Sequence, residues 1–401
     1  MKRFNPMFYR LALANLFFFL GNSLFILFPV FLKNMGASES YIGFMNNIDK
    51  VFVIITAVSI SSIMQGRDMV RLLRAGYVIL IGAYVSYLLI SDLSWAIAVI
   101  RVVHGIGFSV SMILGTTIIF DIVSMEDATE AIGIYGITGA LSNAVSPFVG
   151  EMLLARGFPH SVIFILSAVL VAASLSVTFF MPPQKRHGGD HVPLRGSPLA
   201  LLGDPKFLLL SVVTLIFGGM FGVIVTYLPN FVRTTTGFQF SWFFIVYIGV
   251  LIMIRFTFLR SINRVNRNIL LAAMFLIGTV ANLCLNFLYW IWVLVLVGVL
   301  YGITHGFLYP VLNTMTVGIV AERDRGKANA LFTAVFNTGM MTFAIGLGHL
   351  IDRTGTYLSA FNFSAAASLG ALVFIALLGL RYGPLPVPRV KPPASTDEFD
   401  V

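Results

Sequence analysis

Cysteine is nearly missing: Cys284 is the single one in 401 residues, and it lies inside an apolar run. That excludes a disulfide framework and a cysteine-based metal site. Charge is scarce as well. Only 11% of the residues are Asp, Glu, Lys or Arg, against 58% hydrophobic residues and 37 phenylalanines, a balance that no soluble globular domain of this length shows. No nucleotide-binding loop, hydrolase signature or cluster of metal-ligating types occurs, so there is no reason to expect an enzyme, a cofactor or a metal. Acid is the scarcer sign, with 17 acidic against 26 basic residues and a net charge of +9. In a soluble chain this excess would suggest nucleic acid; here its distribution along the chain decides its meaning.

What the sequence has in abundance is apolar segments. A membrane crossing needs about 20 mostly apolar residues, and the chain divides into twelve such stretches, at roughly 9–32, 40–64, 72–91, 95–121, 131–154, 160–181, 207–232, 239–259, 269–288, 290–318, 329–351 and 356–380. The fold class expected is an all-α integral membrane protein. The first stretch follows Lys2, Arg3 and Arg10. It is too long for a signal-peptide core and lacks a small-residue cleavage pattern, so it reads as a retained helix. With the N-terminus inside, 19 of the 26 basic residues fall on inner loops and tails and four outside (Lys33, Arg156, Arg233, Arg353). The remaining three, Lys50, Arg101 and Arg255, fall within spans. This asymmetry predicts both termini in the cytoplasm and accounts for the basic charge without nucleic acid. The compact loops fit a bacterial inner membrane, with membrane lipid as surroundings and a monomer as the simplest state.

The longest polar interruption, 182–205 (PPQKRHGGDHVPLRGSPLALLGDP), reads as a cytoplasmic linker between an N-terminal half, 1–181, and a C-terminal half, 206–381. The tail 382–401, with its prolines and acidic end DEFDV, reads as disordered. The halves resemble one another. PVFLKNMG from Pro29 and PNFVRTTTG from Pro229 match at an offset of 200, VVHGIGF around His104 and GITHGF around His305 at 201, and GEML at Gly150 and GHLI at Gly348 at 198. These matches predict a duplicated six-helix unit, the layout of transporters that bind substrate between halves near the membrane midplane.

With these residues the chain is similar to the major facilitator superfamily over essentially its whole length. Arg101-Val-Val-His104-Gly105-Ile-Gly107 resembles the family's Arg-x-x-x-Gly segment in the fourth helix. The resemblance implies a link between that arginine and proton coupling. Ser146-Pro147-Phe-Val-Gly150-Glu151 resembles a worn form of the fifth-helix Gly-Pro-x-x-Gly-Gly motif of proton-exchanging exporters, with Ser and Glu replacing its outer glycines. The loop motif Gly-x-x-x-Asp-Arg-x-Gly-Arg is degraded. Arg67 and Arg71 remain in MQGRDMVR, with Asp68 displaced beside them, and Arg264 and Arg267 remain in LRSINRVNR. The resemblance implies a gating role for these five, to which Glu151 is added at the outer end of its helix.

Ionisable residues inside spans are costly and mark function. Helical rise places Asp49 roughly 12 Å below the outer edge, and Arg101 and His104 roughly 9 and 13 Å below it. The three are level, so Asp49 and Arg101 can pair, with His104 one turn below Arg101. The functional reading is a proton carried by Asp49 with Arg101 and His104 as partners; the plain alternative is a fixed bridge between the second and fourth helices. Asn46, Lys50, Arg255 and His305 are candidates for substrate contact, although Arg255 could instead snorkel and His305 could be a packing residue. Gly105, Gly107, Pro147 and Gly150 read as helix-packing positions. The function expected is proton-coupled export of a small organic molecule by alternating access, the excess of cations over Asp49 favouring an anionic or zwitterionic substrate. Uptake by symport, facilitated diffusion, lipid translocation, or a receptor or scaffold that no longer transports remain open on sequence alone.

Overall fold

The computed structural model describes residues 4–64, 67–123, 127–184, 198–257, 266–321 and 324–383. Among the described residues the chain is helical throughout, without a strand. The first crossing is α1 (Pro6–Ser23), a 3-10 turn (Leu24–Leu27) and α2 (Phe28–Asn34). Then follow α3 (Glu39–Met64), α4 (Met69–Ser86), α5 (Trp95–Ile122), α6 (Ala128–Ala155) and α7 (His160–Thr178). The second half comprises α8 (Pro205–Thr235), α9 (Ser241–Thr257), α10 (Arg267–Cys284), α11 (Ile291–Gly318), α12 (Arg325–Thr354) and α13 (Leu358–Tyr382). Ten of these crossings are long and apolar enough to traverse a membrane. The second and eighth places belong to α3, with Asp49 and Lys50 near its middle, and α9, of 17 residues. The twelve crossings fall within a few residues of the expected bounds. Most of the expected linker and nearly all of the expected tail lie outside the described residues.

The break in the first crossing was not legible as such. Pro29 has no N–H to offer the carbonyl four residues back, Phe25. Phe28 N–H bonds that carbonyl instead, which tightens the turn to 3-10 geometry.

Helix starts follow local chemistry at one end of the bundle. Asn5, Asp68, Asp204 and Asn266 each accept a backbone N–H at the first turn of α1, α4, α8 and α10, with Pro6 and Pro205 as first helical residues. Such a cap contributes about 1 kcal/mol. These four helices start at the end that carries both described termini, here the terminal end; the opposite one is the far end. At the far end α9 has no local cap, since Phe240 precedes it.

Within each half, small residues set the helix spacing. Ser142 and Ser146 on α6 donate to the carbonyls of Leu16 (3.4 Å) and Leu20 (2.8 Å) on α1. A Cβ at Gly150 would meet Leu24 and Leu27. Thus the stripe around Pro147 is the α1–α6 contact. A Cβ at Gly105 would lie 2.7 Å from the Asp49 carbonyl, and one at Gly107 2.9 Å from Leu80, so these glycines seat α5 on α3 and α4. One apolar core fills the first half and continues at the far end into Tyr227, Phe231 and Phe240 of the second; another, around Phe217, Phe275 and Leu312, fills the terminal end of the second half.

Candidate functional site

The expected trio comes together in the first half. Arg101 Nη2 lies 2.9 Å from Asp49 Oδ2, and Lys50 Nζ lies 3.4 Å from Asp49 Oδ1. Arg101 is only 3% exposed and Asp49 8%. Arg101 also donates to the backbone carbonyls of Met45 (3.0 Å) and Asn46 (2.7 Å), and its guanidinium carbon sits 5.0 Å from the Phe28 ring centre. A buried guanidinium needs its donors satisfied, and here α3 supplies a carboxylate and two carbonyls.

His104 completes the arrangement from below. Its Nε2 is 3.0 Å from Asn22 Oδ1, an oxygen that also accepts the Tyr84 hydroxyl (3.2 Å). Nε2 therefore carries the ring proton, and Nδ1, 3.3 Å from Arg101 Nη1, is the acceptor. The histidine orients Arg101, while Phe25 and Tyr84 pack edge-on against its ring. Its lone pair is already committed in this arrangement.

Next to this cluster the halves meet. Asn46 and Asn47 both donate to the Thr226 hydroxyl of α8 at 3.2 Å. Gly43, on the same face of α3, admits the Ala344 carbonyl of α12, and Gly348 admits the Glu39 carbonyl. Lys50 follows Gly43 and Asn47 on that face. It is half-buried there.

At the far end each half caps a helix of the other. Asp352, in the last turn of α12, accepts the N–H groups of Glu39 (2.8 Å) and Ser40 (2.9 Å) at the start of α3. Glu151, near the end of α6, accepts those of Phe240 (3.0 Å) and Ser241 (2.9 Å) at the start of α9. All three equivalences, Glu151 with Asp352, Glu39 with Phe240 and Ser40 with Ser241, are 201 positions apart. The match of Gly150 with Gly348 at 198 is thereby corrected, and Glu151 pairs by symmetry with Asp352 rather than with His349. A carboxylate at a helix N-terminus satisfies orphan N–H groups and meets the positive end of the helix dipole. Around the Asp352 contact, Glu39 binds Lys33 Nζ (2.6 Å) and the Tyr357 hydroxyl. The Tyr227 hydroxyl reaches the carbonyls of Glu39 (3.1 Å) and Ala344 (2.5 Å). Tyr357 lies between helices, and burial together with the Glu39 carboxylate raises its hydroxyl above the usual tyrosine range, which keeps it a neutral donor.

The second half places aromatic rings where the first places charges. His305, the counterpart of His104, hydrogen-bonds the Tyr247 hydroxyl through Nδ1 and is ringed by Phe221 (4.6 Å between centres), Phe217 (5.2 Å) and Tyr309 (5.8 Å). Gly302 stands at the position equivalent to Arg101 and packs on the Tyr247 carbonyl. Arg255 shares a helix face with Ile248 and Leu251, which are buried, while Met253 and Phe256, turned away from that face, are 54% and 70% exposed. Arg255 is nevertheless exposed, so it looks into space on the protein side of α9.

The loop residues separate. Asp68 accepts the N–H groups of Val70 and Gln184, both at 3.0 Å, so it caps α4 and holds the chain after α7. Arg67 and Arg71 are exposed beside it. Arg267 is buried at the start of α10 and reaches the Thr314 hydroxyl (3.4 Å). Arg264 lies outside the described residues. Sequence reasoning missed Asp352, Glu39, Tyr227, Tyr357, Asn22 and Tyr84. The 201-residue offset, applied to Glu151, would have found the first.

The family description Major Facilitator Superfamily matches residues 11–291 and 260–400. The chain belongs to that superfamily, and with this fold it is a multi-pass membrane protein and a secondary transporter, not an enzyme. No curated protein matches it by sequence. Among solved structures it is similar to the nucleoside transporter NupG, with TM-score 0.80 and 14% identity over 93% of this chain and 99% of the other. It is also similar to the human organic anion transporter MFSD10 (TETRAN), with TM-score 0.64 and 15% identity over 92% of this chain and 100% of the other. A structure described as bearing on substrate recognition in proton dependent oligopeptide transporters aligns with TM-score 0.73 and 13% identity, over 93% of this chain and 98% of that one.

Proposed function

We propose that the chain couples export of a small organic molecule to proton entry by alternating access between its two halves, with Asp49 as the proton carrier. The observation that carries this reading is the place of Asp49. It is a buried carboxylate paired with Arg101, and its other partner, Lys50, lies on the face of α3 that meets the second half. A proton on Asp49 would weaken its hold on Arg101 and Lys50, and His104 and the α3 carbonyls keep Arg101 placed for the return of the charge. The likeness in fold to a proton dependent oligopeptide transporter supports a proton as the coupling ion.

The charge asymmetry along the sequence orients the terminal end, with both termini, toward the cytoplasm and the far end outward, in a bacterial inner membrane. In that orientation the paired caps form the outer gate, closed here, which makes the arrangement an inward-facing one. The remnant exporter motif favours export, and its two departures have structural uses: Ser146 bonds α1 and Glu151 caps α9.

The test is collapse of an imposed proton gradient in everted membrane vesicles, with anionic, zwitterionic, cationic and sugar-like compounds, for wild type and Asp49→Asn. Compound-dependent collapse in wild type alone supports the proposal. No collapse with any compound, from folded protein, refutes proton-coupled export.

A further inference from the structure

Resting on the transport reading above, we infer that Arg255 and the rings around His305 form a subsite for an aromatic organic anion, the carboxylate on Arg255 and the ring among Phe221, His305 and Tyr309. Three observations converge on it. Arg255 is an exposed cation on the protein-facing side of α9, and no ion pair with it occurs among the described residues. A guanidinium held in such a place calls for a partner, and its planar fork matches a carboxylate. It lies about 21 Å along α9 from Ser241, and His305 lies about 21 Å along α11 from Ile291, so the two are level. Its charge reaches Tyr247, His305 and Tyr309.

The walls favour a ring over an alkyl chain. His305, Phe221 and Tyr309 are each half-buried and present ring surface, with Phe217, Tyr247 and Phe336 closing the back. Nδ1 of His305 is taken up by the Tyr247 hydroxyl, and its Nε2 has no protein partner among the described residues, which leaves that nitrogen to hydrogen-bond a ligand. A cation and ring edges, with an imidazole nitrogen open to hydrogen bonding, together select an anion bearing a ring. The first half cannot offer this, because Arg101 and His104, the equivalents of Gly302 and His305, are spent on one another and on α3.

The probes are 3-phenylpropionate, 3-cyclohexylpropionate, 3-phenylpropanol and 3-phenylpropylamine, measured by thermal stabilisation of the purified full-length protein in detergent. The wild type is expected to bind 3-phenylpropionate at least tenfold more tightly than the other three. Arg255→Gln should remove the preference over the alcohol, Arg255→Lys should keep part of it, and Tyr309→Leu should remove the preference over the cyclohexyl acid. Equal response to all four probes, no response to any, or an unchanged preference in folded Arg255→Gln overturns the subsite. Counterflow of labelled 3-phenylpropionate in proteoliposomes separates the two proposals: binding without transport sinks the transport reading and leaves the subsite standing, whereas transport indifferent to Arg255 sinks the subsite alone.

Discussion

Replacing both far-end carboxylates, by Asp352→Asn and Glu151→Gln, should open the end they seal. Each carboxylate accepts two N–H groups at a helix start belonging to the other half, at 2.8 to 3.0 Å. A charge at a partly buried helix N-terminus contributes up to about 2 kcal/mol. Water takes over the N–H groups once the gate opens, and the amide that replaces the acid still accepts a bond, so a net loss of about 1 kcal/mol per site is the reasonable figure. One substitution should then shift the balance toward the open far end about fivefold, and the pair about thirtyfold, at about 1.4 kcal/mol per factor of ten. The two sites are separate contacts, so their effects should add. The assay is pulsed electron-spin distance measurement between labels at Arg156→Cys and Thr235→Cys, which lie at the far end of opposite halves, in a Cys284→Ser background. Asp204→Asn is the control, because asparagine caps its own helix as well as aspartate does. A double variant that is folded and gives the wild-type distance distribution would refute the gate.

Gly105→Val should lower the thermal stability of the purified protein by about 1 to 3 kcal/mol, because even a Cβ would meet the Asp49 carbonyl at 2.7 Å; unchanged melting would mean that α5 and α3 are not seated as described. Asn22→Leu should destabilise the first half by about 1 to 3 kcal/mol, since it leaves the His104 N–H and the Tyr84 hydroxyl without their shared acceptor, and a melting curve identical to wild type would count against that tautomer. The contact of Tyr357 with Glu39 should hold from neutral pH up to the ordinary tyrosine range, about 10, and weaken as the pH climbs above it, because the folded state binds that proton more tightly than the unfolded one. Far-end distances that widen between pH 7 and 9 in wild type but not in Tyr357→Phe would contradict this.

Crossings were legible because apolar length is a one-dimensional property, and the twelve crossings sit near the twelve stretches. The Asp49 and Arg101 pairing was legible from depth alone, since helical rise converts sequence distance into height. What surrounds the pair was not: Asn22 and Tyr84 are ordinary polar residues whose meaning comes from two other helices. Arg255 was ambiguous because exposure along a helix does not reveal whether lipid or a protein-lined space is outside; the burial of Ile248 and Leu251 on its face resolves that. Asp68 looked like a displaced gate acid, yet it is an N-cap, a role that the sequence Asp68-Met69-Val70 already allowed. The Asp352 contact escaped because its partners are backbone N–H groups, which every residue but proline has.

The reciprocity of the far-end caps has a bearing on how such a chain could arise. In a twofold dimer of a six-helix protein, one acidic position meets one helix start on the partner, and symmetry supplies the second contact without further change. Fusing two copies into one chain keeps both contacts and frees them to diverge, as Glu151 and Asp352 have done in side-chain length while each still holds a pair of N–H groups. On that view the far-end seal is a subunit interface turned inward, and the two halves produced as separate polypeptides would carry the means to recognise each other.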